Sequence, residues 1–232
     1  LKERNAGTLS VRLSDINNDG VPEVELSSAV QKLWIDYMGG GSVCSWNVCG
    51  QMSEKTTFAL DKIWLPKKSR RDLTDAATIK DIKIDETHIA LTLEKKIPAM
   101  ELTIDKIYRI AKDETGFTID YRFVNTGTKA VTFSFWGTNL FSGEKPVFSN
   151  CINERLQKIP SMDGGDFVYG IGKKKIAGFE TSAIRGILSD AETFAEWNGI
   201  RFSLKCNGDF MANYYYYITP MIHTWECGWA RA

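Results

Sequence analysis

The stretch DINNDGVPEVEL, residues 15–26, places acidic and amide side chains at its first, third and fifth positions and a glycine at its sixth. A calcium loop of the EF-hand type also needs a bidentate glutamate at position twelve, and that position is Leu26. Asp-Gly between two runs of alternating hydrophobicity is instead a strong hairpin signal, because it supplies the positive φ angles of a tight turn. We therefore predict a hairpin. The alternative is a weak, exposed calcium site that uses Asp15, Asn17, Asp19 and Glu23.

Alternation with a period of two recurs along most of the chain, in runs of four to eight residues bounded by Gly, Asn or Asp. Regular short strands of this kind predict an antiparallel sandwich or barrel in one domain. Weak helical patterns occur only at 27–33 and 191–197, and we expect the longest irregular loops at 41–80 and 142–180. The alternating apolar residues include Leu9, Val11, Leu13, Val24, Leu26, Ile82, Ile84, Ile89, Leu91, Leu93, Leu102, Ile104, Phe133 and Phe135.

The charge balance excludes several classes of partner. The 232 residues contain 29 Lys plus Arg and 29 Asp plus Glu, so the chain has no net positive charge for nucleic acid or an anionic membrane. No run of eighteen apolar residues is present, and we therefore expect no membrane span. Neither a Gly-rich phosphate motif after a strand nor a zinc-ligand spacing occurs, and we expect no cofactor.

The five cysteines are Cys44, Cys49, Cys151, Cys206 and Cys227. An odd and sparse set in a chain of this length is not typical of a disulfide framework. Cys44 and Cys49 would lie on opposite faces of a strand, which is unsuitable for a shared metal. We expect most of them to be buried thiols in a reducing compartment, and hence a cytoplasmic location.

Several motifs resemble the C-terminal β-sandwich of glycoside hydrolase family 57 enzymes, which are α-amylases and 4-α-glucanotransferases. The opening DINNDGVPEVELSS and VQKLWIDYMGGGSVCSWNV resembles the acidic hairpin, strand and double glycine of that family. Its double glycine corresponds to Gly39-Gly40-Gly41, where a side chain would clash at a tight crossing of strands. The segments ALTLEKKIPAMELTIDKIYRI, GFTIDYRFVNTG and FSFWGTNLFSG resemble its middle strands.

The resemblance implies a large two-sheet antiparallel β-sandwich, similar to the galactose mutarotase supersandwich. In the family, the catalytic carboxylates lie on a separate N-terminal barrel. We therefore expect residues 1–232 to be a single non-catalytic domain of a larger enzyme. Its implied partners are an α-glucan or other carbohydrate and the catalytic domain of the same polypeptide.

Mutarotases share this fold and use histidines with a glutamate as acid and base. The chain has two histidines, and His223 lies near Glu226 in HTWECGW. These two residues are the alternative catalytic pair, although Asn139 and Leu140 stand where a mutarotase strand would offer its histidine. A purely structural or oligomerisation domain is the third hypothesis.

Carbohydrate binding is the best functional interpretation of the aromatic residues. Sugar rings present flat C–H faces on which Trp and Tyr stack, while amides and carboxylates bind the hydroxyl groups. The chain holds 7 Trp and 8 Tyr, and the tyrosine run NYYYYITP would alternate between the two faces of one strand. The candidate carbohydrate-binding residues are Trp46, Trp136, Asn139, Trp197, Tyr214, Tyr216, Trp225 and Trp229.

Overall fold

A computed structural model defines the fold, and the chain divides into two compact units. Unit 1 comprises Leu1–Phe133 with Arg231–Ala232, and unit 2 comprises Ser134–Ala230. The structure describes the backbone of residues 2–52, 57–64, 70–140, 147–151, 158–160, 166–168, 174–176, 179–181, 187–189, 192–197, 200–205, 209–216, 220–226 and 230–231. Side chains are described for residues 2–51, 57–63, 73–133, 135 and 137.

Unit 1 is built from two antiparallel sheets. Its elements are β1 (Arg4–Ala6), β2 (Leu9–Ser14), β3 (Glu23–Ser27), β4 (Gln31–Asp36), β5 (Ser42–Val48), β6 (Gln51–Met52), β7 (Thr57–Trp64), β8 (Arg70–Asp72), β9 (Thr78–Ile84), β10 (His88–Ile97), the 3-10 helix η1 (Pro98–Met100), β11 (Leu102–Ala111) and β12 (Thr118–Asn125). The first sheet has the order β1-β2-β3-β4-β5-β7, with β6 on β5 and β8 on β7, and the second has the order β12-β11-β10-β9.

The two sheets of unit 1 bury the apolar residues that the alternation predicted. Leu9 and Val11 on β2 are fully buried, as are Leu91 on β10 and its neighbours at the same parity. In β10 every second residue is buried, which is the pattern of a strand with one face against a core. The predicted all-β antiparallel sandwich is confirmed.

Both predicted helical segments are wrong. Residues 27–33 contain the end of β3, a turn in which Ser28 donates its N–H to the carbonyl oxygen of Gln31, and the start of β4. Residues 192–197 form a strand. In β3 and β4 neighbouring residues are buried on both faces of the strand, so the sequence does not alternate simply between apolar and polar residues. A strand there is easily mistaken for a helix. The described residues contain no helix that is long and apolar enough to span a membrane.

The loop predicted at 41–80 is also wrong, because β5 to β8 and the start of β9 lie there. In β7 the alternation is interrupted at Ala59, whose φ of 56° marks an irregularity in the strand. Phe58 and Ala59 are both buried, and Asp61, Lys62 and Ile63 follow as three consecutive buried residues. Polar residues at buried positions hide a strand from a search based on hydrophobic alternation.

The three consecutive glycines between β4 and β5 fit the tight crossing that the sequence indicated. Gly40 has a φ of 93°, and a Cβ atom there would lie far inside van der Waals contact of the Leu73 carbonyl oxygen. Gly41 has a φ of 75°, and its Cβ would lie 2.8 Å from Cδ1 of Leu93 on the opposite sheet. Only glycine satisfies both the dihedral angles and the space at these positions.

A fully hydrogen-bonded glutamine connects the two sheets of unit 1. The Gln31 side chain is buried on β4 and donates to the carbonyl oxygens of Glu114 at 2.8 Å and Gly116 at 2.6 Å. Its Oε1 accepts the N–H of Gly116 at 3.1 Å and the indole N–H of Trp46 at 2.9 Å. The β11–β12 turn is thereby held against β4 and β5 without an unsatisfied polar atom on the amide.

Unit 2 also consists of strands among its described residues. They are β13 (Thr132–Leu140), β14 (Val147–Cys151), β15 (Lys158–Pro160), β16 (Asp166–Val168), β17 (Lys174–Ile176), β18 (Phe179–Thr181), β19 (Ile187–Ser189), β20 (Glu192–Trp197), β21 (Ile200–Lys205), β22 (Asp209–Tyr216), β23 (Pro220–Glu226) and β24 (Ala230–Arg231). Strands β13, β23, β22 and β19 pair in that order, and β14, β20 and β21 form a second sheet. The predicted loop at 142–180 therefore includes β14 to β17 and part of β18.

We expect Gly40→Ala to destabilise the fold far more than Gly50→Ala. Both glycines have positive φ values, 93° and 81°, but nothing lies within 4 Å of a Cβ atom at Gly50. Gly50→Ala should cost about 1–2 kcal/mol from left-handed strain alone. Gly40→Ala should cost a further 1–3 kcal/mol, roughly, because the new methyl group overpacks the crossing. Urea denaturation of both variants measures the difference, and equal losses would contradict the role of the crossing.

Candidate functional site

The loop between β2 and β3 contains the predicted metal-ligand alternative. Both carboxylate oxygens of Asp15 accept backbone N–H groups, from Asp19 at 3.2 Å and from Gly20 at 2.9 Å. Glu23 accepts the N–H of Ile16 at 3.0 Å. These bonds close the loop on itself, which is a common function of Asp side chains in turns.

Asn17 and Asp19 belong to the same network. Asn17 donates from Nδ2 to the Asp19 carboxylate at 2.8 Å, and that carboxylate accepts the N–H of Val21 at 2.7 Å. The positive φ angles fall at Asn18 (58°) and Gly20 (85°). The predicted hairpin is confirmed by the antiparallel pairing of β2 with β3. Within the described residues no group of three His, Cys, Asp or Glu side chains is arranged to hold a metal ion, and calcium binding stays an untested alternative.

A second polar cluster lies inside unit 1, where sequence reasoning placed no site. Asp61 on β7 and Lys106 on β11 form an ion pair at 2.8 Å, and each side chain is only 5% exposed. Lys106 also donates to the carbonyl oxygen of Ala59 at 2.6 Å. The Tyr121 hydroxyl donates to the other carboxylate oxygen of Asp61 at 2.8 Å. The cluster therefore joins β7 of one sheet to β11 and β12 of the other.

Burial controls the protonation of this pair. Loss of hydration raises the pKa of the Asp61 carboxyl and lowers the pKa of the Lys106 ammonium, because each charged form is less stable away from water. Their mutual attraction and hydrogen bonds oppose both pKa shifts. A second buried ammonium, that of Lys95 on β10, donates to the carbonyl oxygens of Leu73 and Asp75.

A small cavity adjoins this cluster. Its volume is ≈ 10 Å³, and Asp61, Lys95 and Lys106 line it together with apolar side chains such as Leu93. This volume is of the size needed for one water molecule, whereas small-molecule sites usually measure roughly 300–1,000 Å³. The cluster is therefore too enclosed to receive a sugar ring, and its chemistry is that of a connection between sheets.

The sequence contains a signal for these buried lysines. Lys95 follows Leu91 and Leu93 at the same parity, and Lys106 follows Ile104 in the same way. A charged residue at a core-facing position of an alternating strand requires a buried partner. The pattern thus marks the lysines, although it does not identify their acceptors.

Each buried carboxylate among the described side chains has a hydrogen-bond or ion-pair partner. None of these carboxylates is therefore in the state expected of an exposed acid or base pair. Glu25 binds Arg12, with 2.9 Å between the guanidinium nitrogen and the carboxylate oxygen, and Asp105 binds Lys80 at 2.8 Å. The complete set and the partners of its members are Glu23 with Ile16, Glu25 with Arg12, Asp61 with Lys106 and Tyr121, and Asp105 with Lys80.

Of the candidate carbohydrate-binding residues, only Trp46 has a described side chain. It is half-buried on β5, pairs across the sheet with Leu33, and its ring meets Phe58 and Phe117 edge to face at 6.1 and 5.3 Å between centroids. Its indole N–H is bonded to Gln31. These contacts pack Trp46 against the interior, and its part in sugar binding stays a prediction.

The backbone of unit 2 brings several of the other candidates into register. Trp136 on β13 lies opposite Trp225 on β23. Asn139 lies opposite Ile222, which is in turn opposite Tyr214 on β22. Directly opposite residues of an antiparallel sheet share a face, so these rows join candidates that are far apart in sequence.

The remaining candidates are placed by the backbone alone. His223 lies opposite Thr138 and Asn213, while Glu226 lies opposite Phe210 three residues further along β23. Tyr216 pairs with Pro220, and Trp197 pairs with Ile200. Trp229 lies outside the described residues. The alternative acid and base therefore share one strand, and their catalytic role is untested.

The two cysteines with described side chains are free thiols. Cys44 donates to the carbonyl oxygen of Trp34 at 3.4 Å, and burial raises the pKa of its thiol to about 12. A thiol that stays protonated at neutral pH is a poor nucleophile. Cys49 is exposed, in contrast to the prediction made for most of the cysteines.

Neither a family model nor a curated protein matches this chain. Among solved structures, the crystal structure of the 4-alpha-glucanotransferase from Thermococcus litoralis is similar over 100% of this chain, with a TM-score of 0.50 and 11% sequence identity. The similarity covers 38% of that chain, so the present chain spans well under half of its length. At this level of identity the likeness shows the fold alone.

We expect EDTA to leave the melting temperature unchanged. The carboxylates of the loop between β2 and β3 already accept backbone N–H groups, so the turn closes without a cation. A ligand that binds only the native state must stabilise it, so differential scanning fluorimetry with EDTA or with added calcium is decisive. A rise of several degrees in calcium that Asp15→Asn abolishes would contradict this prediction.

We expect Lys106→Met to destabilise the protein by about 3–5 kcal/mol, because it leaves Asp61 buried without its counter-charge. Adding Asp61→Asn in the same chain should recover most of the loss, since the amide oxygen still accepts from Tyr121 and no uncompensated charge remains. The free energy of unfolding in urea, measured for both single variants and the double variant, gives the coupling. Additive losses would show that the two residues act independently.

Proposed function

We propose that this chain is a non-catalytic accessory β-sandwich of an α-glucan-active enzyme, of the kind found at the C-terminus of glycoside hydrolase family 57 enzymes. The observation that carries the proposal is the likeness of the whole chain to part of a 4-alpha-glucanotransferase structure, at a TM-score of 0.50. The motifs around residues 15–48 and 90–143 point to the same class of enzyme. Residues 1–232 act together as one accessory domain.

Two features of unit 1 support a bracing role. The buried carboxylates among its described side chains are engaged by donors within the unit, and the cavity beside Asp61 and Lys106 admits about one water molecule. The chemistry of glycoside hydrolysis needs two carboxyl groups facing each other across a cleft, roughly 5 to 9.5 Å apart. Such a pair belongs to the catalytic domain of the same polypeptide, against which this chain packs.

Carbohydrate contact, where it occurs, belongs to the sheet of β13, β23 and β22. The backbone register there puts Asn139 and Tyr214 on one face, in a row with Ile222 between them, whereas Trp136 and Trp225 lie on the other face with Tyr215. An aromatic ring and an amide on one face are groups that bind sugar C–H faces and hydroxyls. The ligand is an α-glucan, bound at an exposed face and without a cofactor.

Affinity electrophoresis in native gels that contain amylose or glycogen tests this proposal. We expect the chain to migrate more slowly than in gels without polysaccharide, and Tyr214→Ala to abolish the retardation while it preserves the melting temperature. Tyr215→Ala is the matched control, because neighbouring residues of a strand face opposite sides. If Tyr215 faces the core, its loss should cost about 3–5 kcal/mol of stability and leave glucan binding by the folded fraction intact.

Two results would contradict the proposal. One is unretarded migration of the parent chain in every polysaccharide gel, which would remove the carbohydrate contact. The other is a reading frame around this chain that encodes no catalytic barrel, which would remove the accessory role.

A further inference from the structure

Asp61 and Lys106 meet in the interior of unit 1, where their contact joins the two sheets. The Lys106 Nζ lies 2.8 Å from Oδ2 of Asp61, and each side chain is only 5% exposed. A carboxyl carbon is one C–O bond away from its oxygens, so the amine nitrogen lies within about 4 Å of the Asp61 Cγ. Groups held roughly 3–3.5 Å apart in a fixed orientation react far faster than the same groups free in water. The two side chains are therefore close to the geometry in which an amine attacks a carboxyl group.

Burial favours the protonation states in which these two groups react. An amine attacks only when it is unprotonated, and a carboxylic acid releases an oxygen more readily than a carboxylate does. Loss of hydration raises the pKa of Asp61 and lowers the pKa of Lys106, so transfer of a proton along their hydrogen bond costs less here than in water. The ring centroids of Tyr108 and Tyr121 lie 5.3 and 5.6 Å from the Lys106 nitrogen, and both rings help to exclude water from it.

The surroundings of the pair also suit the charge and the by-product of a condensation. The Tyr121 hydroxyl donates to Oδ1 of Asp61 at 2.8 Å. That oxygen gains negative charge when an amine adds to Cγ, and a donor already directed at it stabilises this charge. The Lys95 ammonium interacts electrostatically with Asp61 and lines the adjoining cavity. The cavity volume of ≈ 10 Å³ is of the size needed for one water molecule, which is what amide formation releases.

We propose that Lys106 and Asp61 condense to an amide bond, which joins β11 covalently to β7. One proton first passes from the ammonium to Oδ2, which gives a neutral amine and a carboxylic acid. Nζ then adds to Cγ, the bond from Cγ to Oδ2 breaks, and the departing hydroxyl group takes a proton from the nitrogen and leaves as water. Nothing is oxidised or reduced, so the step needs no further reagent.

The ion pair of Asp61 with Lys106 is the state before this reaction. Because the ionised pair must first be neutralised, the bond forms more slowly than the chain folds, and the comparison of Lys106→Met with its double variant applies to freshly folded protein. The bond links residues 45 apart in the sequence, and a cross-link of that span stabilises a protein by restricting its unfolded chain. The inference rests on unit 1 and is independent of the proposed function.

A second lysine and aspartate pair in the same unit is an internal control. The Lys80 Nζ also lies 2.8 Å from a carboxylate oxygen of Asp105, but 44% of the Lys80 side chain is exposed. Water hydrates that ammonium and favours its charged form, so the free amine needed for attack is not formed. The two pairs have the same separation and differ in burial, and we expect an amide bond only at the buried pair.

Intact mass spectrometry of the full chain under denaturing conditions tests the proposal. Samples taken at intervals during incubation of the folded protein at neutral pH should contain a growing population that is lighter by one water molecule than the mass of the sequence. Proteolysis of this population should give one branched peptide that joins the segment around Asp61 to the segment around Lys106. We expect no branched peptide that joins Lys80 to Asp105.

Two variants separate the condensation from the ion pair. Lys106→Arg should keep the full mass, because a guanidinium stays charged and can pair with Asp61 but does not condense with it. Tyr121→Phe should slow the conversion roughly 10²-fold, since one donor to the developing negative charge is lost. The matched control is Lys80→Arg, which should convert at the parent rate.

The peptide map of the parent chain decides the question even if a variant does not fold. A parent chain that keeps its full mass throughout the incubation, while its melting temperature shows that it remains folded, would overturn the proposal. The same conclusion would follow if the lost water mapped to Asp19-Gly20, where an aspartate before a glycine can close to a succinimide. Conversion that persists in Lys106→Arg would also overturn it.

Discussion

Long side chains of the second sheet of unit 1 donate hydrogen bonds to buried backbone carbonyl oxygens of the segments that face them. Lys106 reaches Ala59, Lys95 reaches Leu73, and the Tyr108 hydroxyl reaches Gly41. Two of these oxygens belong to residues with positive φ angles, Ala59 at 56° and Gly41 at 75°. A buried carbonyl without a donor is costly, so the long lysine and tyrosine side chains stabilise this irregular backbone inside the sandwich.

The glycines at the crossing between β4 and β5 follow from the same arrangement. The backbone at Gly40 approaches the Leu73 carbonyl, and Lys95 donates to that same oxygen. A side chain at Gly40 would push the segment away from its donor. The close approach at Gly40, its positive φ angle and the buried Lys95 ammonium therefore depend on one another. A change at any one of them affects the others.

The charged groups described in the interior of unit 1 and in its acidic loop make structural contacts. Charged residues in its interior are used to hold sheets together, and the acidic loop between β2 and β3 uses its carboxylates to close its own backbone. Among the described side chains of unit 1, the buried carboxylates are thus occupied by contacts within the unit.

The sequence by itself determined the all-β class, the hairpin after Leu13 and the core positions of β2, β9, β10 and β11, because alternation and turn chemistry are local properties. It also contained Lys95 and Lys106 at core-facing parity, but not their acceptors. Lys106 donates to Ala59, which is 47 residues away in the sequence, and to Asp61, which is 45 residues away. Only the packing of one sheet on the other decides such contacts. The strand at 57–64 was missed for the same reason, since its buried polar residues are stable only beside partners supplied by the opposite sheet. Tertiary structure alone likewise aligned Trp136 with Trp225, because register depends on the pairing of distant segments.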